Sequence, residues 1–243
     1  MKTPITYWGG KQQLASTILK LIPEHHLYCE PFFGGGAVFF EKEKSDVEII
    51  NDINDNIINF YRVLQNDFSK LQKEIKATLH SRSLHRKARV VYENPDMFDN
   101  VKRAWSVWVL SMMSMNSDLS KAFGYGRKKS TVEKKTMNKR NNFSDKYSER
   151  LQEVQIECTD ALRIIKSRDT PTSFFYLDPP YYNSDMGHYD GYTEMDYRAL
   201  LSLLDTIQGK FLLSGYPSPV LREYTAKYGW FTKEIEMNLC AGG

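Results

Sequence analysis

Asp178-Pro179-Pro180-Tyr181 follows directly on the apolar run Phe174-Phe175-Tyr176-Leu177. A run of β-formers that ends in Asp-Pro reads as a buried strand with a sharp stop, because proline cannot continue a ladder. The carboxylate is then held at the carboxyl end of that strand, where open α/β sheets place their sites. Each proline fixes its own φ and restricts the residue before it, and neither carries an N–H. The turn therefore offers oxygen acceptors with few competing donors, beside the aromatic face of Tyr181. That combination suits a planar amine ligand, although taken alone it also fits an ordinary strand-ending turn.

Three further groups could do chemistry. Tyr7-Trp8-Gly9-Gly10-Lys11 precedes a helical spacing of Leu14, Ile18, Leu21 and Ile22 that Pro23 stops. Paired glycines let backbone amides approach a ligand, and Lys11 with the helix dipole favours an anionic group. A plain turn with a solvated lysine is the competing reading, and the spacing of a phosphate-binding P-loop is missing. Next, the strand Leu27–Glu30 leads into Pro31-Phe32-Phe33-Gly34-Gly35-Gly36 and a helix from Ala37 to about Lys44. Strand, glycine turn and helix make a dinucleotide-type opening, although the spacing departs from that fingerprint. The third group is Asp52, at the end of the strand Val47–Asn51. An acid there binds a ribose diol in such folds, and the glycine turn upstream favours that role over a helix N-cap before Ile53-Asn54.

The elements that must position these groups follow from periodicity. Ile57, Tyr61, Leu64, Phe68, Leu71 and Ile75, then Val101, Trp105, Trp108, Met112 and Met115, recur at three- and four-residue steps. Residues 55–116 are therefore predicted as helices whose Trp and Met residues are core. After a short helix over 144–151, the α/β pattern returns: strands at 154–158, 174–177, 211–214 and 231–237, helices at 161–167, 194–207 and 219–228. A tyrosine-rich loop holding Tyr182, Asn183, His188, Tyr189 and Tyr192 lies between two of them.

At 243 residues with 41% hydrophobic and 13% aromatic content, the chain can hold one large domain with an insertion. No apolar run has membrane-spanning length, the amino terminus lacks a signal-peptide pattern, and the spacing of Cys29, Cys158 and Cys240 fits neither a metal nor a disulfide framework. These features suit a reducing cytoplasm and predict no metal. Net charge is +3, but residues 120–150 hold ten Lys/Arg against three Asp/Glu, so that segment carries +7 and the rest −4. The segment reads as a basic loop with interleaved aromatics, which points to a polyanion and favours nucleic acid over a solvated surface loop.

The whole constellation, in this order, resembles the Dam-like, D12 class DNA adenine-N6 methyltransferases, and within the basic segment a phage-like variant of them. The residues that carry the resemblance are Tyr7-Trp8-Gly9-Gly10-Lys11, Glu30-Pro31-Phe32-Phe33-Gly34-Gly35-Gly36, Asp52 in Asn51-Asp52-Ile53-Asn54, Asp160 after the third strand, and Asp178-Pro179-Pro180-Tyr181. It implies a Rossmann-like, seven-stranded methyltransferase sheet over 1–55 and 152–243, with a helical target-recognition insertion over 56–151. It also implies S-adenosylmethionine as methyl donor and a flipped-out adenine in double-stranded DNA as acceptor. Tyr7, Trp8, Gly10, Lys11, Glu30, Pro31, Phe32, Gly34, Gly36, Asp52, Asp160 and Asp178 are then expected to face the donor. Asp178, Pro179, Pro180 and Tyr181 would form the catalytic turn. Tyr125, Arg127, Lys128, Lys129, Lys139 and Arg140 are expected to contact DNA, while no residues match those that read GATC in other members. Since members usually continue into one more strand, the sequence is expected to stop short of a natural end at Gly242-Gly243.

Competing activities are separated by residue type. A cytosine-C5 methyltransferase needs a nucleophilic cysteine, typically beside proline, and no Pro-Cys pair occurs. Cytosine-N4 enzymes use related tetrapeptides, usually with Ser or Asn first, so Asp178 favours adenine. A catalytically impaired DNA-binding relative would not need Lys11, Asp52, Asp178 and Tyr181 together.

Overall fold

Short runs of β-branched and aromatic residues build the sheet, and the apolar run Phe174–Leu177 builds an interior strand of it. The computed structural model describes residues 1–126, 131–182 and 192–235. Its strands are Leu27–Glu30 (β1), Val47–Asn51 (β2), Gln155–Glu157 (β3), Ser173–Leu177 (β4) and Lys210–Leu213 (β5). They pair in the order β3-β2-β1-β4-β5, and every neighbouring pair is parallel. All five residues of β4 are buried, as expected of a strand covered on both faces. In register, Cys29 lies opposite Ile49 on one side and Phe175 on the other. The order runs outward from β1 in both directions, so the strand sequence reverses between β1 and β4. That reversal is the switch point at which open α/β sheets bind ligands.

Parallel pairing requires crossovers, and helices supply them. Ala15–Leu19 (α1) precedes β1 and Ala37–Glu41 (α2) joins β1 to β2. Between β2 and β3 lie Asp55–Asn66 (α3), Phe68–Lys76 (α4), Arg82–Glu93 (α5), Asn100–Met113 (α6), Thr131–Asn141 (α7) and Lys146–Leu151 (α8). Ala161–Arg168 (α9) leads to β4. The residues Ala104 to Met113 of α6 are all buried, so this helix is apolar all round because others surround it. The Trp105 indole meets its one polar need by donating to Thr78 Oγ1 at 2.8 Å.

Two sequence expectations change here. The basic segment 120–150 is not loop up to the helix expected over 144–151, which is α8, since α7 occupies 131–141 as well. Helix α7 buries only Thr136 and has no apolar stripe, which is why periodicity misses it. Polar side chains dock it instead: Lys135 Nζ donates to Ser117 Oγ at 2.9 Å, Lys139 to the Thr3 carbonyl, and Arg140 to the Thr78 carbonyl at 3.2 Å. The second change concerns the strand expected over 231–237. Residues 231–235 form no strand and Phe231 is fully exposed, while 236–237 lie outside the described residues. An alternating pattern makes a strand only where a neighbour completes the ladder. The sheet implied as seven-stranded therefore has five strands among the described residues.

The chain forms two compact units, 1–178 with 208–213, and 179–207 with 214–243. In the first, the helical segment 56–151 shares one core with the strands, where Phe33 and Tyr61 pack edge to face at 4.7 Å. A buried ionic group also joins helix to sheet. Arg150, in α8, grips both oxygens of Glu48 in β2, at 2.8 Å to Oε1, and lies 3.8 Å from the Phe39 ring. Lys42 donates to the same Glu48 Oε1 at 2.6 Å. Burial alone would raise the Glu48 carboxyl, but the hydrogen bonds from Arg150 and Lys42 hold it below the usual range.

In the second unit, Glu194–Leu204 (α10) opens on a reciprocal capping box between Thr193 and Asp196. Pro219–Tyr228 (α11) opens on a Ser218 cap and closes at Gly229 with φ +67°. Arg198 links the two helices, reaching Glu194 at 2.8 Å and Glu223 at 3.0 Å.

Candidate active site

Strand β4 ends in fully buried Leu177 and delivers Asp178, whose side chain is 19% exposed. Lys11 Nζ donates to Asp178 Oδ2 at 2.7 Å and to the Gly9 carbonyl at 2.9 Å. The turn that carries Lys11 is closed by Gly10 N–H donating to the Tyr7 carbonyl at 3.1 Å. A Cβ on Gly10 would lie 2.9 Å from that carbonyl oxygen, so the turn needs glycine there. Pro179, Pro180 and Tyr181 follow in the chain but belong to the second unit. There the Tyr181 ring meets Tyr216 edge-on, with centroids 4.7 Å apart.

Beside β4, strand β1 ends in Glu30, which is almost wholly buried and accepts a 2.6 Å hydrogen bond from Tyr28 Oη. Burial pushes the Glu30 carboxyl up to about 8; Tyr28 and Lys42 oppose that rise, while the charge of Asp178 adds to it. The turn 31–36 then folds back on itself, with Gly36 N–H donating to the Phe33 carbonyl at 2.8 Å. Gly34 and Gly36 have φ of +47° and +64°, and a Cβ on Gly36 would meet the Phe33 ring at 2.5 Å. A Cβ on Gly35 would lie 2.8 Å from Tyr7 Cβ, so Tyr7 packs directly on the glycine turn. Pro31 is buried, and Phe32 and Trp8 are half-buried.

Asp52 joins this turn to the end of β2. Its Oδ2 accepts from Gly34 N–H at 2.8 Å and its Oδ1 from Asn54 N–H at 2.9 Å. The cap of α3 is Asn54, which accepts from Asn56 and Ile57, so Asp52 is not spent as the cap. Burial raises the Asp52 carboxyl, and the backbone N–H groups around it pull the other way. Each carboxylate oxygen has a second lone pair, so these bonds leave capacity for hydroxyl donors. Asp160 is placed differently: exposed, it caps α9 by accepting from Arg163 N–H at 3.0 Å.

The structure thus gathers Tyr7, Gly34 and Asp52 into one group, and Lys11 with Asp178 into another, with Glu30 between them on β1. Sequence reasoning missed two residues in this arrangement, Tyr28 and Asn51. Both are wholly buried polar side chains inside strands, where composition gives no sign of their partners. Asn51 Nδ2 donates to the carbonyls of Pro31 at 2.9 Å and Thr159 at 3.0 Å, while its Oδ1 accepts from Thr159 N–H at 2.9 Å.

The residues expected at DNA are more dispersed. Tyr125 is half exposed, its ring stacked on Phe123 at 6.5 Å with the Arg82 guanidinium 5.3 Å from it. Lys139 and Arg140 are engaged with backbone carbonyls, and burial pulls Lys139 down to about 8. Arg127, Lys128 and Lys129 lie outside the described residues, as does most of the tyrosine-rich loop. Among the described residues, no cluster of His, Cys, Asp and Glu could hold a metal, and no helix is long and apolar enough to cross a membrane.

Comparison with known proteins bears on this geometry. A family model described as D12 class N6 adenine-specific DNA methyltransferase matches residues 7–234. A type II methyltransferase of Lactococcus lactis subsp. cremoris is 29% identical over 90% of this chain and 83% of its own length. One of Methanocaldococcus jannaschii is 29% identical over 80% of this chain and 74% of its own. A DNA adenine methylase of Vibrio cholerae is 39% identical over 24% of this chain and 21% of its own length.

Proposed function

This chain belongs to the D12 class of N6 adenine-specific DNA methyltransferases, and from that premise we propose that it methylates adenine N6 in double-stranded DNA with S-adenosylmethionine as donor. The observation that carries the reading is Asp178 at the end of β4, fixed by Lys11 next to the strand that ends in the glycine turn. The fit to the donor is supported by that turn, in which side chains are excluded at Gly35 and Gly36 and Asp52 retains acceptor capacity. When bound, S-adenosylmethionine supplies an electrophilic methyl group on a cationic sulfur.

The remaining work falls to residues of the chain. The Gly34–Gly36 turn, Asp52 and Asp160 would hold the donor, Asp52 by accepting from its ribose hydroxyls and Asp160 from the amine of its adenine ring. Lys11 holds the Asp178 carboxylate at Oδ2. Adenine N6 is a poor nucleophile because its lone pair is delocalised into the ring. Asp178 and the Pro179 carbonyl accept the two N6 hydrogens, which localises the lone pair for attack. Positive charge that develops on N6 is stabilised by Asp178, and the surplus N6 proton leaves to water. Positioning and electrostatics supply the rate, without a covalent enzyme intermediate. The target base leaves the duplex at a cost of a few kcal/mol. Stacking on Tyr181 returns roughly 1–3 kcal/mol of that.

The test is transfer of a labelled methyl group from S-adenosylmethionine to unmethylated DNA, with the product base identified after digestion. N6-methyladenine is the expected product. Label in N4-methylcytosine, or no transfer by protein that binds both substrates, would reject the reading.

A further inference from the structure

We propose that Asn51 is a positioning residue of the donor site, acting through the two turns that its side chain ties together. The inference rests on the donor reading above and goes beyond it, since Asn51 is fully buried and has no face toward a ligand. Three turns at the carboxyl ends of β1, β2 and β3 would hold the donor, yet the ladder between these strands ends at Glu30↔Ile50 and Asn51↔Glu157. Past those pairs, neighbouring parallel strands have no ladder to set the distance between their turns. Asn51 supplies the missing link at both sides. Its Nδ2 hydrogens go to Pro31 and Thr159, its Oδ1 holds the Thr159 N–H, and its own carbonyl accepts from Phe33 N–H at 2.9 Å. Both donors of the amide are used, so one side chain fixes the start of the glycine turn and the residue before Asp160 relative to Asp52.

Few other side chains can do this. Leucine has the same shape but takes the acceptor away from the half-buried Thr159 N–H and the donors away from the Pro31 and Thr159 carbonyls. Aspartate keeps the acceptor, loses both donors and sets a negative charge against two carbonyl oxygens. In either case the turns on β1 and β3 lose their common reference. A misplacement of about 1 Å at such a site costs up to about a hundredfold.

A buried asparagine that only stabilises the fold would lower Tm and weaken every property together, so the test separates the two. Asn51→Leu and Asn51→Asp are compared with Leu71→Ala, a variant in the core of α4 chosen for its stability loss. Binding of S-adenosylhomocysteine is measured by calorimetry, and steady-state kinetics are run with S-adenosylmethionine on unmethylated DNA. The expected result is a rise of about tenfold or more in the donor Kd and KM of both Asn51 variants. Their kcat at saturating donor should stay within about threefold of the original, and their DNA affinity within about twofold. Leu71→Ala should leave the donor Kd unchanged at an equal loss of Tm. Donor affinity unchanged in the Asn51 variants, or reduced equally in Leu71→Ala, would overturn the proposal. If neither Asn51 variant folds, hydrogen exchange in the original protein decides: slow exchange at the Thr159 N–H, slower still with S-adenosylhomocysteine, supports the assignment, and fast exchange unaffected by ligand refutes it. An original protein that binds no donor would reject the methyltransferase mechanism itself rather than the role of Asn51.

Discussion

Asp178 and Lys11 share a single 2.7 Å contact, and substitution separates what each contributes. Asp178→Ala removes the acceptor and should lower methyl transfer by about a hundred- to a thousandfold, on the scale of other groups that stabilise charge in a transition state. Donor binding by calorimetry should persist in that variant, and near-normal turnover would show that Asp178 is not catalytic. Lys11→Met removes the 2.7 Å contact to Asp178 Oδ2, so kcat should fall more than the donor affinity does. Glu30 gives a second prediction at this scale. Its carboxyl takes up a proton at about 8 in the folded chain, against about 4.3 when unfolded. Between those values the folded state holds a proton that the unfolded state has released, so stability falls as pH rises through the window. Glu30→Gln removes that titration, and the fall in Tm from pH 5 to pH 8 should become shallower, by the equivalent of a few kcal/mol at most. An identical slope in both proteins would mean that Glu30 titrates normally. The placement of Asp178 and Asp52 was legible in the sequence because each follows directly on a strand, and that of Lys11 because glycines mark a turn ahead of a helix. Tyr28 and Asn51 were not, because a buried polar side chain is defined by partners far away in the chain.

Elements were legible where an apolar period marks them. Strand β4 and the helices α3 and α6 carry such a period and fall where it predicts. Helix α7 has none: its attachments are hydrogen bonds from Lys135, Lys139 and Arg140 to groups brought near only by folding. The segment 231–235 fails in the opposite way, since a strand is expected there and none forms. The inward attachments of α7 split the basic segment into two groups with different expected behaviour. Replacing Arg127, Lys128 and Lys129 together should flatten the dependence of log Kd for duplex DNA on log salt, by about 0.9 for each phosphate that is no longer neutralised. Lys139→Met and Arg140→Met should instead lower Tm and leave that slope nearly unchanged. Equal slopes for the triple variant and the original protein would move DNA binding to another part of the surface.

At the scale of the whole molecule, strand order decides which distant residues become neighbours. Because β4 pairs with β1, Asp178 and Glu30 end adjacent strands although the entire helical segment separates them in sequence. That the sheet is parallel with helical crossovers was legible; that the helices between β2 and β3 share the sheet's core was not. The buried ionic group explains part of that union. Arg150→Met strips Glu48 of its bidentate partner in the interior and should cost about 3–5 kcal/mol. A variant that also carries Glu48→Met and Lys42→Met should recover much of this in thermal unfolding, because it leaves no unpaired charge in place of the ionic group. No recovery would mean that packing of Arg150 on Phe39 is the larger contribution.

That grip of Arg150 on Glu48 also sets the rules of exchange for anyone who would give this scaffold a different helical segment. The segment is bounded in sequence by β2 and β3, which invites a cut just before β3. A graft cut there replaces α8 and with it Arg150, and a foreign residue at that place leaves Glu48 in the interior of the recipient without its bidentate partner, held by Lys42 alone. The workable boundary lies on the other side of α8, so that Lys146–Leu151 stays with the sheet. Sequence divergence among chains of this architecture should accordingly run freely through α4 to α7 and halt at α8. Recombination between them would then trade what the helices touch while the carboxyl ends of β1, β2 and β4 pass through unaltered.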